Sequence, residues 1–276
     1  MAWLSRNVNL SGEMELSPWR GLALVAWESV SDASVHAVVE MEAGPMLRYI
    51  GRVGKKAGLR VTPAHFTGKA IADTFRRLPD LNCLLRRGRL YRRRDVDIFF
   101  PVALDRDGEN LSGTVIRNVD EKPLDTIAGE LAEAAGRLRK DGGGKFGAIR
   151  SHVLRRALMR FSGFFLYTLN LWSPALGIPR DAFGSAAVTD VSTFGSDYVF
   201  PPLLPVARLP LVVGVVGLVE RYDAKGRRTD WLRLCFVFDH RVIDGVYAGR
   251  ICQHLKAVWA EPEKHLDAGN AAGRQA

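Results

Sequence analysis

The chain has little cysteine: Cys83, Cys235 and Cys252 are the three it carries in 276 residues. They are odd in number and share no short paired spacing. That argues against a disulfide framework and a cysteine-based zinc site, and for a reducing compartment. A long apolar run behind a basic start is missing from the N-terminus, "MAWLSRNVNLSGEMELSPW", so no secretory signal is expected. Internal repeats and long low-complexity tracts are absent too. The one long charge-free stretch, "FSGFFLYTLNLWSPALGIP" (161–179), is interrupted by Ser, Thr, Asn, Pro and Gly. A bilayer span needs ~20 continuous apolar residues, so crossing is not expected. Two readings of it stay open. It packs on its own domain or at a subunit interface, or it lies on a membrane surface, where Arg150, Arg155, Arg156 and Arg160 would meet anionic headgroups.

What is present is ordinary in balance: 47% hydrophobic and 25% charged residues, enough to bury a sizeable core. The formal net charge is +9. An excess of that size suits nucleic acid, an anionic membrane or a phosphorylated small molecule, and by itself does not choose among them. The densest basic run, "RRGRLYRRR" (86–94), reads either as a phosphate-binding patch or as a solvated hairpin.

Along the chain, "SVHAVVEM" (34–41) predicts a strand and 44–58 a helix. Thr62 reads as an N-cap with Pro63 in the first helical position. A hairpin turning at Arg87 and Gly88 is expected over 84–94, then strands over 96–104 and 111–119, and an amphipathic helix from Pro123. "KDGGGKFG" (140–147) reads as a linker and 150–172 as helical. Strand and turn return at "SAAVTDVSTFG". "LPLVVGVVGLVERY" (209–222) and "WLRLCFVF" (231–238) read as a buried hairpin, and the last helix as about Gly245 to Trp259. Strands and helices alternate with antiparallel hairpins among them, which argues for an α/β fold with one mixed sheet covered by helices.

The chemistry gathers in "CFVFDHRVIDGVYAG" (235–249). A strand end is where a rigid scaffold holds a reactive side chain beside a loop. Imidazole, with an ordinary pKa of roughly 6.5, makes His240 a candidate general base near neutral pH. Asp244, four positions on, could orient an imidazole or a cation, or cap the helix that starts at Gly245. His65, His152, His254 and His265 show no partners at metal-ligand spacing, and no metal is expected.

The whole phrase "FDHRVIDG" closely resembles the active-site signature of dihydrolipoamide acyltransferases. These are the catalytic domains at the core of 2-oxoacid dehydrogenase complexes, in the superfamily of chloramphenicol acetyltransferase. "VTPAHFTGKAIADTFRRLPDLN", "VDIFFPVALDRDGENLSGTVIRNVDEKPLDTIAGEL" and "FGSDYVFPPLLPVARLPLVVGVVGLVER" are similar to further segments of that family. The resemblance runs from about Leu16 to Leu266. It implies an N-terminal extension (1–15), a catalytic domain (16–266) with an apolar insertion near 141–184, and a tail (267–276). The implied fold is a two-layer α/β sandwich of the chloramphenicol acetyltransferase type, built into trimers or multiples of trimers.

The resemblance also implies the reaction, in which an acyl group moves between coenzyme A and a dihydrolipoyl thiol or another small acceptor. His240 falls on the family's base. Asp244 falls on its aspartate, which pairs with an arginine near the N-terminus, here Arg20; Gly245 completes the motif. Thr189 falls on the oxyanion donor, with Ser192 as the alternative if the register shifts by three. Asp190 departs from the amide that usually follows. The family's lipoyl domain has no counterpart before the match, so a lipoyl group is expected only from another protein. A cytoplasmic location goes with this reading, and nucleic acid is not expected as a partner. Two rivals remain: a non-catalytic scaffold subunit of such an assembly, and a membrane-surface protein using 150–179.

Overall fold

The computed structural model describes residues 5–15, 33–105, 111–140, 161, 163–174, 180–222 and 225–267. In chain order the strands and α-helices are β1 (Ser5–Arg6), β2 (Leu10–Glu13), β3 (Ser34–Glu42), α1 (Gly44–Ala57), α2 (Pro63–Arg77), β4 (Cys83–Arg86), β5 (Arg89–Arg93), β6 (Ile98–Ala103), β7 (Leu111–Ile116), α3 (Leu124–Lys140), β8 (Leu171–Trp172), β9 (Ala186–Asp190), β10 (Leu211–Tyr222), β11 (Arg228–Asp239) and α4 (Gly245–Ala260).

Six strands form the main sheet in the order β3-β11-β10-β9-β6-β7. β9 runs parallel to both β10 and β6, and the other pairs are antiparallel. The sheet is mixed, as the alternating pattern predicts. A three-stranded sheet, β2-β5-β4, and the pair β1-β8 lie apart from it. The β4–β5 hairpin turns where expected, at Arg87 (φ 50°) and Gly88 (φ 72°); two successive left-handed residues match the twist of a tight hairpin.

Pleating sends alternate side chains to opposite faces. On one face Leu232, Leu234, Phe236 and Phe238 of β11, Leu211, Val213 and Val215 of β10, and Ala186 and Val188 of β9 join the main core under the helices. α2 is the helix most enclosed by that core. The Thr62 side chain accepts a hydrogen bond from the His65 amide, and the His65 ring accepts one from the Thr62 amide, a reciprocal cap that starts the helix after Pro63. Gly68 lets it approach the sheet, since a Cβ there would sit 2.5 Å from Cζ of Phe100. Phe66 meets Trp259 of α4 edge to face at 4.7 Å. Removing a buried ring of this kind typically costs about 3–5 kcal/mol.

One expectation fails. The stretch to residue 172 does not stay helical: Phe164–Thr168 form a single wide turn, and Leu171–Trp172 become a strand on β1. The cause is Asn170, left-handed at φ 55°. Its side chain accepts from the Val8 amide and donates to the Val8 carbonyl. The linker at 141–147 and the arginines at 150–160 lie outside the described residues. No helix among the described residues is long and apolar enough to cross a membrane.

Candidate active site

β11 stops at Asp239 because the backbone turns there. The Asp239 carbonyl accepts the amides of Val242 and Ile243, both at 2.9 Å. Its carboxylate accepts the Arg241 amide at 3.0 Å and the guanidinium at 2.9 and 2.7 Å. Val242 and Ile243 then drop into the core. Asp244 is extended and accepts the Tyr247 amide at 3.0 Å, which starts α4 at Gly245. Half-buried His240 sits between these fixed points, its amide donating to the Ala33 carbonyl at 3.0 Å. The Asp239–Arg241 brace has one sign in the sequence, the acid-x-Arg spacing around the histidine. Arg20 lies outside the described residues, and the helix-capping role of Asp244 is the one the structure displays.

Thr189 stands near the end of β9. Sheet register sets its distance from His240: Thr189 is opposite Gly214, and Gly214 is opposite Cys235. Five residues of β11 then separate Cys235 from His240, about 16 Å along the strand at about 3.3 Å per residue, with about 10 Å across two strand spacings. The two side chains are therefore not brought together within one chain.

Thr189 shares its face with Ala187, away from the helices, whereas Val188 belongs to the main core. By alternation Asp190 turns to the helix side, where its charge acts on His65. The aspartate thus leaves the face that carries the Thr189 hydroxyl. Ser192 is exposed, and its hydroxyl donates to Oδ1 of Asp190 at 2.6 Å. Over Thr189's face runs the segment around Val199 to Pro201. A Cβ on Gly214 would lie 3.0 Å from the Val199 carbonyl oxygen and 3.2 Å from Cδ of Pro201.

Four arginines of the basic run are paired within the chain, Arg89 and Arg92 at its surface. Arg86 donates to the carbonyls of Thr168 and Leu169. Arg89 pairs with Glu13 and Arg92 with Asp80. Arg93, with a side chain 2% exposed, pairs with Asp181. The hairpin reading accounts for these four arginines better than a phosphate patch does.

The family model described as 2-oxoacid dehydrogenases acyltransferase (catalytic domain) matches residues 25–142 and 182–266. The chain is 23% identical over 204 residues to the lipoamide acyltransferase component of the branched-chain alpha-keto acid dehydrogenase complex of Bacillus subtilis, covering 74% of this chain and 40% of that protein. It spans well under half the length of the curated relatives it matches. Among solved structures, the dihydrolipoamide acetyltransferase of Azotobacter vinelandii is 25% identical with a TM-score of 0.63, over 93% of this chain and 95% of that one. A chloramphenicol acetyltransferase shares the fold, with a TM-score of 0.54 at 12% identity over 89% of this chain and 99% of that one.

Proposed function

Because the chain belongs to the 2-oxoacid dehydrogenases acyltransferase family, matched over the catalytic domain, we propose that it moves an acyl group between coenzyme A and a thiol. The acceptor is a dihydrolipoyl arm or another small acceptor. His240 takes the thiol proton as sulfur attacks the thioester carbonyl. The tetrahedral oxyanion accepts a hydrogen bond from the Thr189 hydroxyl, an effect worth on the order of 3 kcal/mol in comparable sites. Collapse breaks the original carbon–sulfur bond, and the imidazolium returns the proton to the leaving thiol. In the Azotobacter enzyme a serine, a histidine and an asparagine four positions beyond it have been investigated for a role in the catalytic mechanism. His240 and Asp244 repeat that spacing with an aspartate in place of the amide.

The observation that carries this reading is the strand end itself, where His240 is held between the Ala33 carbonyl and the Asp239 turn. The register of β9, β10 and β11 supports a site completed by a second copy, with His240 from one subunit and Thr189 from its neighbour, in a trimer or a multiple of trimers. Such a protein needs no membrane and works in the cytoplasm. Exposed Phe161 and Phe164 favour, as a second reading, a membrane contact alongside catalysis; flotation with anionic vesicles tests it.

The test of the main reading follows free coenzyme A, separated by chromatography, from a panel of acyl-coenzyme A thioesters with dihydrolipoamide, because the exchange consumes one thiol for each it releases. His240→Ala and Thr189→Ala should each lower turnover by at least ~10²-fold. Refolded together in equal amounts, they should recover roughly one quarter of the sites in a closed ring of subunits. A mixture that reassembles by size but stays inactive refutes the shared site or the choice of Thr189, and the same mixture made with Ser192→Ala separates those two. A scaffold subunit would release no free coenzyme A even as wild type.

A further inference from the structure

Asp73 lies on α2 with a side chain 1% exposed. Its carboxylate meets Nε2 of His254, from α4, at 2.7 Å. His265 reaches the same place from the turn Glu263–Asp267, its ring 5.6 Å from that of His254 and nearly perpendicular to it. One ligand atom from each of Asp73, His254 and His265 lies within 4.8 Å of the other two. Nδ1 of His265 is buried without a hydrogen-bond partner. We propose that Asp73, His254 and His265 form a binding site for a divalent transition-metal ion of the zinc class, with a fourth position open to water.

The donor set chooses the class. Two imidazoles and one carboxylate suit zinc, cobalt or nickel, whereas calcium and magnesium want oxygen ligands. Tetrahedral zinc bonded at about 2.0–2.1 Å holds neighbouring ligand atoms about 3.3 Å apart. Asp73 and His254 therefore separate by a fraction of an ångström and His265 moves inward. The metal takes the place of the hydrogen bond between Asp73 and His254. Arg76 and Arg77, which pair with Asp73, have side chains 36% and 50% exposed. Arg76 keeps Oδ1 of Asp73, and Arg77, which shares Oδ2 with His254, turns into water as the metal takes that oxygen. His254 stands ten residues along α4 from Asp244, about 15 Å at a 1.5 Å rise, which sets the cluster apart from the acyl-transfer residues. The bound ion joins α2, α4 and the turn after α4, so it stabilises the fold.

The experiment uses the full chain, dialysed against chelator and titrated with zinc chloride by calorimetry and with cobalt(II) by visible absorption. One equivalent of zinc should bind and raise the melting temperature by roughly 5–10 °C at about hundredfold excess over Kd. Cobalt should give the intense bands of a tetrahedral nitrogen–oxygen site. His265→Ala should weaken zinc binding at least about tenfold. His254→Gln serves the same purpose if that variant folds poorly. A chain that takes up no zinc, a pale octahedral cobalt spectrum, or unchanged affinity in both variants overturns the site.

Discussion

The two faces of the main sheet are built on different principles. The helix-covered face is a continuous apolar surface: Phe236 and Phe238 stack at 5.7 Å, and both side chains are at most 1% exposed. The opposite face carries smaller apolar clusters, Ala187, Ala207, Leu209 and Val212 in one and Val191, Val216 and Cys235 in the other, joined by individual polar contacts. Arg233 bonds Glu40 at 2.7 Å and the Asp197 carbonyl at 2.8 Å, and its guanidinium lies 4.3 Å over the ring of Tyr198. The segment it clasps leaves Phe194, Tyr198, Phe200 and Leu204 exposed. Apolar burial is worth roughly 25 cal/mol per Å², whereas one hydrogen-bonded contact to a charged group, such as that of Arg233 with Glu40 (side chains 10% and 15% exposed), is worth about 1.5–3 kcal/mol. The larger core lies on the helix face. The other face, with Thr189, combines smaller apolar clusters with exposed Phe194, Tyr198, Phe200 and Leu204, and suits contact with a second copy.

The strongest way to break this contrast is Phe236→Ala, expected to cost about 3–5 kcal/mol in denaturant unfolding. A loss below about 1 kcal/mol would mean that the helix face is not the core of the fold.

His65 sharpens the contrast through pH. Burial pushes its pKa down from 6.5 to about 4, with Asp190 pulling weakly the other way. Between those values the unfolded chain binds a proton that the folded chain refuses. Stability is therefore full above about pH 6.5 and falls as pH drops toward 4, by roughly 3 kcal/mol. His65→Gln keeps a side-chain acceptor for the Thr62 amide but cannot titrate. Its melting curves should match wild type at pH 7.5 and show a shallower decline from pH 6.5 to 4. An unchanged decline would assign the acid sensitivity elsewhere.

The smallest effect belongs to the open face. Arg233→Met keeps the aliphatic stem and leaves Arg221 beside Glu40, so it should cost about 1–2 kcal/mol, while amide exchange at 197–200 quickens. A penalty as large as that of Phe236→Ala would erase the distinction between the faces.

Local rules carried much of the fold. The Thr62–Pro63 helix start, the Arg87–Gly88 turn and the apolar runs of β10 and β11 each have a short-range physical cause, so each was legible before any pairing was known. The strand β8 was not, because two residues make a strand only when a distant partner captures them, and Ser5–Arg6 is that partner. The same limit hid the arginine pairs of the β4–β5 hairpin. In the site, His240 and Asp244 were legible from one contiguous phrase. The separation of Thr189 from His240 follows from register across three strands, which no contiguous phrase carries. Asp73, His254 and His265 escaped the spacing argument for the same reason: α2, α4 and the turn after α4 bring them together only in the folded chain.

Among the described residues, β3 has one hydrogen-bonded neighbour in the sheet, β11. During synthesis at about 5–20 residues per second, Glu42 leaves the ribosome about 10–40 s before Asp239. For that interval the strand that begins the sheet has no edge to join, and β10 has an open side. Pairings this distant in sequence slow folding and leave strand edges bare. A nascent chain halted before Arg228 therefore keeps both edges open, and the sheet closes only after β11 has emerged.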